Sequence, residues 1–159
     1  NGSCEDFIIT QNGIYFIGSI DTKLQEIYFV NKEINKISSF NDQFLNEYFI
    51  SIPQKVTVYK DMNVDGFVML PKDYDETKKY PAILDIHGGP KAIYSNVYYH
   101  EMQVWASLGY VVMYCNPRGS DGKGNQFADL RGHMGDIDYE DIMDFVDEVI
   151  RIYPCIDQK

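Results

Sequence analysis

The segment Tyr80-Pro-Ala-Ile-Leu-Asp-Ile-His-Gly-Gly-Pro90 constrains this chain more than any other. Ile83, Leu84 and Ile86 form a short apolar run, bounded by Pro81 on one side and by Gly88-Gly89-Pro90 on the other. Such a run predicts a strand buried on both faces and ending in a loop. Two adjacent glycines let a backbone come close to a ligand and present bare N–H groups to it. Pro90 stiffens the exit and favours an extended Gly89. A buried strand that delivers free backbone donors at its C-terminal end is what an oxyanion hole requires. The same residues also fit a tight strand-to-helix turn with no chemistry.

The sequence around this segment alternates strands with helices. Gln54–Tyr59 alternates as a strand, Asp65-Gly66 fits a turn, and Phe67–Leu70 fits a second strand. Pro71–Lys79 is a charged loop. Tyr98, Met102, Trp105 and Leu108 recur at helical spacing, with Gly109 as a stop. Val111–Cys115 is a second apolar strand, followed by Asn116-Pro-Arg-Gly and a glycine-rich loop through Gly124. Tyr139, Ile142, Val146, Val149 and Tyr153 form another helical stripe, widened by Met143 and Ile150. Asp138 suits its N-cap and Pro154 its end. This β-β-β-α-β-α order predicts a largely parallel sheet covered on both faces.

Residues 1–49 have a different rhythm. Phe7–Thr10, Ile14–Ile17, Glu26–Val30 and Ile34–Phe40 read as short strands separated by Gln11-Asn-Gly13, Asp21-Thr-Lys23 and Asn31-Lys-Glu33. Regular short strands suit a meander or one propeller blade. A single blade cannot bury both of its faces, so neighbouring blades would precede it. Residues 41–48 read as a linker, and residues 50–159 as a separate α/β part.

Charge and cysteine usage narrow the function classes. The net charge is −10, which repels phosphate backbones and argues against nucleic-acid binding. No apolar run approaches the roughly 20 residues of a membrane span, and no secretory leader is evident. Cys4, Cys115 and Cys155 are far apart and lack metal-site spacing, so no metal or other cofactor is expected. Cys115 reads as a small buried hydrophobe. A reducing, cytoplasmic setting is expected. Asn1-Gly-Ser3 matches a glycosylation sequon at the chain end.

His87-Gly-Gly-Pro90, Asn116-Pro-Arg-Gly-Ser120 and Gly135 leading into Tyr139-Glu-Asp141 follow one another in an order that resembles the prolyl oligopeptidase family of serine peptidases, most of all its acylaminoacyl-peptidase branch. The resemblance implies the N-terminal half of an α/β-hydrolase domain over 50–159, preceded over 1–49 by the last strands of a β-propeller. It implies that the backbone N–H of Gly89 belongs to an oxyanion hole, supported by Gly88 and Pro90. Other branches place a tyrosine hydroxyl donor where His87 stands, so His87 is a candidate donor or a brace for the loop. Arg118 either shapes a pocket or ties loops together.

The departure from the family pattern is as informative. The nucleophile of this fold sits on a Gly-x-Ser-x-Gly elbow, with the acid and histidine later in the chain. No such elbow occurs here; Ser95, Ser107 and Ser120 lack the pattern, and His100 and His133 lie too early. The leading expectation is therefore part of a peptidase that acts on peptides, ending before its nucleophile and inactive alone. An apolar strand left at a sheet edge would also make the segment self-associate. A non-catalytic scaffold built on half the hydrolase fold is the alternative. A third reading, a different enzyme using these histidines with Asp136, Asp138, Glu140 and Asp141, competes with a simpler role for those acids as helix caps and dipole partners.

Overall fold

The computed structural model describes residues 2–158, so the sequon residue Asn1 lies outside the described residues. Two four-stranded sheets are present. The first is an antiparallel meander of β1 (Gly2–Thr10), β2 (Gly13–Ile20), β3 (Glu26–Val30) and β4 (Ile34–Lys36). β1 starts five residues earlier than its apolar run, because Gly2 to Cys4 pair with Gly18 to Ile20 across a bulge at Cys4/Asp6. Backbone pairing there does not need apolar side chains. Phe7, Ile8 and Ile9, on alternating faces of β1, all remain exposed.

β4 is shorter than its sequence pattern, and residues 41–48 are not a plain linker. The carboxylate of Glu26, buried in β3, accepts hydrogen bonds from Ser38 Oγ and from the backbone N–H of Phe40 (3.2 Å) and Asn41 (2.7 Å). These bonds pull the chain out of the sheet and lead it into a short helix, α1 (Asp42–Glu47).

The second sheet has the order β5-β6-β8-β7, formed by β5 (Gln54–Val58), β6 (Val64–Met69), β7 (Ala82–Asp85) and β8 (Val111–Asn116). β5–β6 and β6–β8 are antiparallel; only β7–β8 is parallel. The sheet is thus mixed rather than largely parallel, because only the β7-to-β8 connection makes a helical crossover between neighbouring strands, through α2 (His100–Ser107).

β8 is central and wholly buried. Its residues alternate between two cores. Val111, Met113 and Cys115 join Val56, Val64 and Val68 beneath Phe145 and Val149 of α4 (Ile137–Ile152). Val112 and Tyr114 join Met69, Met102 and Ala106 on the α2 side. Burial pushes the Cys115 thiol up to about 12, so it is an inert apolar filler.

Three local expectations are corrected by this packing. Asp65-Gly66 is no turn: both residues lie inside β6, with Gly66 paired to Val56 and Cys115. A Cβ on Gly66 would lie 2.3 Å from the Phe145 ring, so glycine here makes room for α4. The buried face of α2 is Met102, Gln103 and Ala106, while Leu108 is exposed. Gln103 replaces an apolar residue because its amide accepts from Ser51 N–H (2.8 Å) and donates to Ser51 C=O (2.9 Å), satisfying a buried backbone. On α4 and its cap the expected Ile142, Val146, Val149, Ile150 and Tyr153 do pack on the core, but Asp141 and Phe145 are buried more deeply than most of them, and Tyr139 is exposed.

β7 is likewise not buried on both faces. It lies at the sheet edge, its four residues are half-buried and Ile86 is exposed. Beyond β8, its only other neighbour among the described residues is a bridge from Tyr80 to Ile156. No described helix is long and apolar enough to cross a membrane.

Candidate active-site loop

The carboxyl end of β7 feeds residues 86–99, and that of β8 feeds residues 117–124. Parallel neighbours end at the same side of a sheet, so both loops emerge together, where α/β folds place ligands. Several hydrogen bonds stitch them. Asn116 accepts from Tyr94 N–H (2.7 Å) and donates to Tyr94 C=O (2.8 Å). Asp121 N–H donates to Ala92 C=O at 3.0 Å. Tyr94 turns back to donate its hydroxyl to Asp85 at 3.0 Å. Burial first, and then this bond to Asp85, hold the Tyr94 hydroxyl well above the ordinary tyrosine range, so it stays a neutral donor.

His87 sits between the loops. Its Nε2 lies 3.0 Å from Ser120 Oγ and its Nδ1 3.1 Å from Gly88 C=O. A carbonyl can only accept, so Nδ1 donates to Gly88, while Nε2 shares a hydrogen bond with the Ser120 hydroxyl. Both nitrogens are engaged, and the ring edge packs against Tyr94 at 5.0 Å. This geometry makes His87 a strut between the two loops and leaves it no spare N–H.

Gly89 is exposed and adopts φ +117°, a conformation open to glycine and strained for other residues. It is not the extended residue expected before Pro90. Its N–H has no hydrogen-bond partner among the described residues. Beside it opens a cleft of about 790 Å³, whose walls include Pro90, Lys91, Asn125 of the short helix α3 (Asn125–Ala128), Arg131 and Met134.

Arg118 reaches toward α4 rather than into the cleft. Its N–H (2.9 Å), Nε (2.8 Å) and Nη2 (2.7 Å) all donate to Asp141 on α4. Asp141 is fully buried and Lys60 Nζ lies 3.6 Å away. Asp141 is therefore a buried anchor for the loop after β8, not a helix cap. Asp138 is not the N-cap either: Asp136 holds that position without a side-chain bond, and Asp138 accepts from Gly135 N–H at 2.7 Å.

The other residues singled out in the sequence are scattered. Ser107 Oγ donates to Val104 C=O within its own helix, and Ser95 N–H donates to the Tyr99 hydroxyl. His100 contacts Tyr98, and His133 faces Asp136 at 3.6 Å. Ser120 alone meets a histidine, yet it is 1% exposed and out of reach of a substrate. No group of three or more His, Cys, Asp or Glu among the described residues could hold a metal. Asn116, Tyr94 and Ser120 carry the loop geometry. The Asn-Pro-Arg-Gly-Ser run marked two of them, but their partners lie 22 and 33 residues away and left no local signal.

Comparison with known proteins finds similar chains. Residues 96–159 match the model of the prolyl oligopeptidase family. The uncharacterized peptidase YuxL of Bacillus subtilis is 39% identical over 160 residues, covering 96% of this chain and 24% of that protein. Dipeptidyl-peptidase 5 of Aspergillus fumigatus is 34% identical over 84 residues, covering 51% of this chain and 12% of that protein. The solved acylaminoacyl peptidase of Pyrococcus horikoshii superposes with a TM-score of 0.91 at 29% identity, over 99% of this chain and 26% of its own. The chain thus spans about a quarter of the length of its full-span relatives.

Proposed function

Because the chain belongs to the prolyl oligopeptidase family, we propose that the His87–Pro90 loop is one wall of a serine-peptidase site in which Gly89 N–H donates to the oxyanion of a peptide's tetrahedral intermediate. One observation carries this reading: Gly89 presents an unpartnered N–H on a loop immobilised by His87–Ser120 and Tyr94–Asn116. A donor held in place before charge develops stabilises the transition state without reorganising at that moment.

In this reading the nucleophile, acid and base come from the part of a full-length relative that this chain does not span, since no Gly-x-Ser-x-Gly occurs in its sequence. The 159-residue segment alone is then inactive. β1–β4 would be the last strands of a propeller, which would account for the apolar residues left exposed on β1. The three free thiols support a reducing compartment, the cytoplasm.

The test has two arms. A serine-directed fluorophosphonate should leave this segment unlabelled; stoichiometric labelling of any serine in it would overturn the assignment. In a polypeptide that joins this chain to a nucleophile elbow, Gly89→Ala should lower kcat by roughly 10²–10³ with KM little changed. Alanine has room there, its Cβ coming no closer than 3.5 Å to the loop, but it would rotate away from φ +117° and turn the N–H aside. Gly89→Pro is a poorer test, because proline cannot adopt that φ at all. An unchanged kcat in folded Gly89→Ala would place the donor elsewhere.

A further inference from the structure

Resting on the reading of Gly89 as an oxyanion donor, we propose that the neighbouring cleft carries a carboxylate subsite, formed by Lys91 and Arg131, which selects peptides whose free C-terminal carboxylate lies a residue or two from the reacting carbonyl. Lys91 is two residues from Gly89, and both line the same cleft with Arg131. A space of about 790 Å³ suits a short peptide.

The charges in this cleft run against those of the whole chain. The chain has a net charge of −10, yet the cleft wall holds two cations and one carboxylate, Asp129. Arg131 is 90% exposed, and its Nε (2.8 Å) and Nη2 (2.6 Å) donate to Asp129, which also accepts from the Arg131 N–H at 3.1 Å. These bonds fix the plane of the guanidinium and leave Nη1 without a partner among the described residues. They also hold the Asp129 carboxyl well below its usual range, so its charge cancels one cation only. Lys91 makes no hydrogen bond or ion pair among the described residues. The balance is one positive charge with unspent donors, next to the apolar Pro90 and Met134. A peptide carboxylate attached to a short apolar residue matches both features, whereas a blocked or amidated end matches only the second.

Two-dimensional NMR on the 159-residue chain tests this without requiring catalysis. Acetyl-trialanine and its C-terminal amide are titrated at low salt. The free acid should bind about three- to tenfold more tightly and shift the amides of Lys91 and Arg131, the preference fading with salt. Arg131→Gln and Lys91→Gln should each reduce the preference. Among the described residues Lys91 makes no hydrogen bond and acts on Asp129 through its charge alone, so its variant should keep the fold. Equal affinity of acid and amide would overturn the proposal, as would a preference that survives both substitutions. Acetate or sulfate competing as well as the peptide acid would also overturn it, by showing a nonspecific anion site. Shifts at Lys91 and Arg131 with Gly89 silent would keep the carboxylate subsite and remove Gly89 from the substrate path.

Discussion

Arg118 and Asp141 form a closed fork across the sheet's end: three N–H groups of one residue converge on the two carboxylate oxygens of the other. Asp141 is fully buried, so its charge is tolerable only while those donors are present. Arg118→Met should therefore destabilise the chain by about 3–5 kcal/mol in urea or thermal unfolding, since it leaves the buried Asp141 with Lys60 Nζ alone nearby, at 3.6 Å. Replacing both partners, as in Arg118→Met with Asp141→Leu, should cost much less. Equal losses in the single and double variants would show that the charges are not what matters.

Gly66 lies under Phe145. Gly66→Ala should cost about 1–3 kcal/mol, since its Cβ would sit 2.3 Å from a fully buried ring. Phe145→Leu in the same chain should recover part of that loss. Additive losses in the double variant would move the clash from the ring to Cys115 Cβ, which the new Cβ would meet at 2.7 Å.

Acid should weaken the fold through Asp65. Burial alone would raise its carboxyl, but hydrogen bonds from Lys123, Thr57 and Lys55 outweigh it and bring the pKa from 3.8 to about 2. The folded state thus holds its proton less tightly than the unfolded state, so this stabilisation is complete above pH 3.8 and is lost as pH falls through about 2. Its size should be about 1 kcal/mol after allowance for solvent screening. Asp65→Asn should flatten the unfolding free energy between pH 4 and 2 by roughly that amount.

Ser120→Ala should loosen the loop without unfolding the core. It removes the hydroxyl that holds His87 Nε2, a bond worth about 1 kcal/mol. Amide exchange at Tyr94 and Asp121, whose N–H groups carry the bonds between the two loops, should quicken about fivefold, with β8 unchanged. Equal exchange in both proteins would mean that the bonds of Tyr94 and Asp121 suffice.

The free edge of β7 should make this segment self-associate. β8 pairs with one side of β7, and on the other side only the Tyr80–Ile156 bridge is present among the described residues. Unpaired strand groups template pairing with another chain, and the net charge of −10 is screened beyond about 8 Å at physiological salt. Sedimentation at several concentrations should show association at about micromolar levels and above. A monomer throughout would mean that the tail shields more of the edge than its single bridge indicates.

Sequence alone determined the alternating elements and the loop. Apolar period, Gly88-Gly89-Pro90 and the Asn116–Ser120 run are local signals, because a strand's pleat, a helix's turn and a glycine's freedom depend on near neighbours. The same signals say nothing about which element lies opposite. Gly66 resembles a turn residue until Phe145 packs onto it, and Asp141 resembles a dipole partner until Arg118 reaches it from 23 residues away. The apolar run of β7 promises a buried strand, yet the sheet order leaves it at an edge. His87 could read as donor or brace until Ser120 lay within 3.0 Å of its ring. Only the tertiary structure decided these points, because each depends on contacts between segments distant in sequence, and local periodicity carries no record of them.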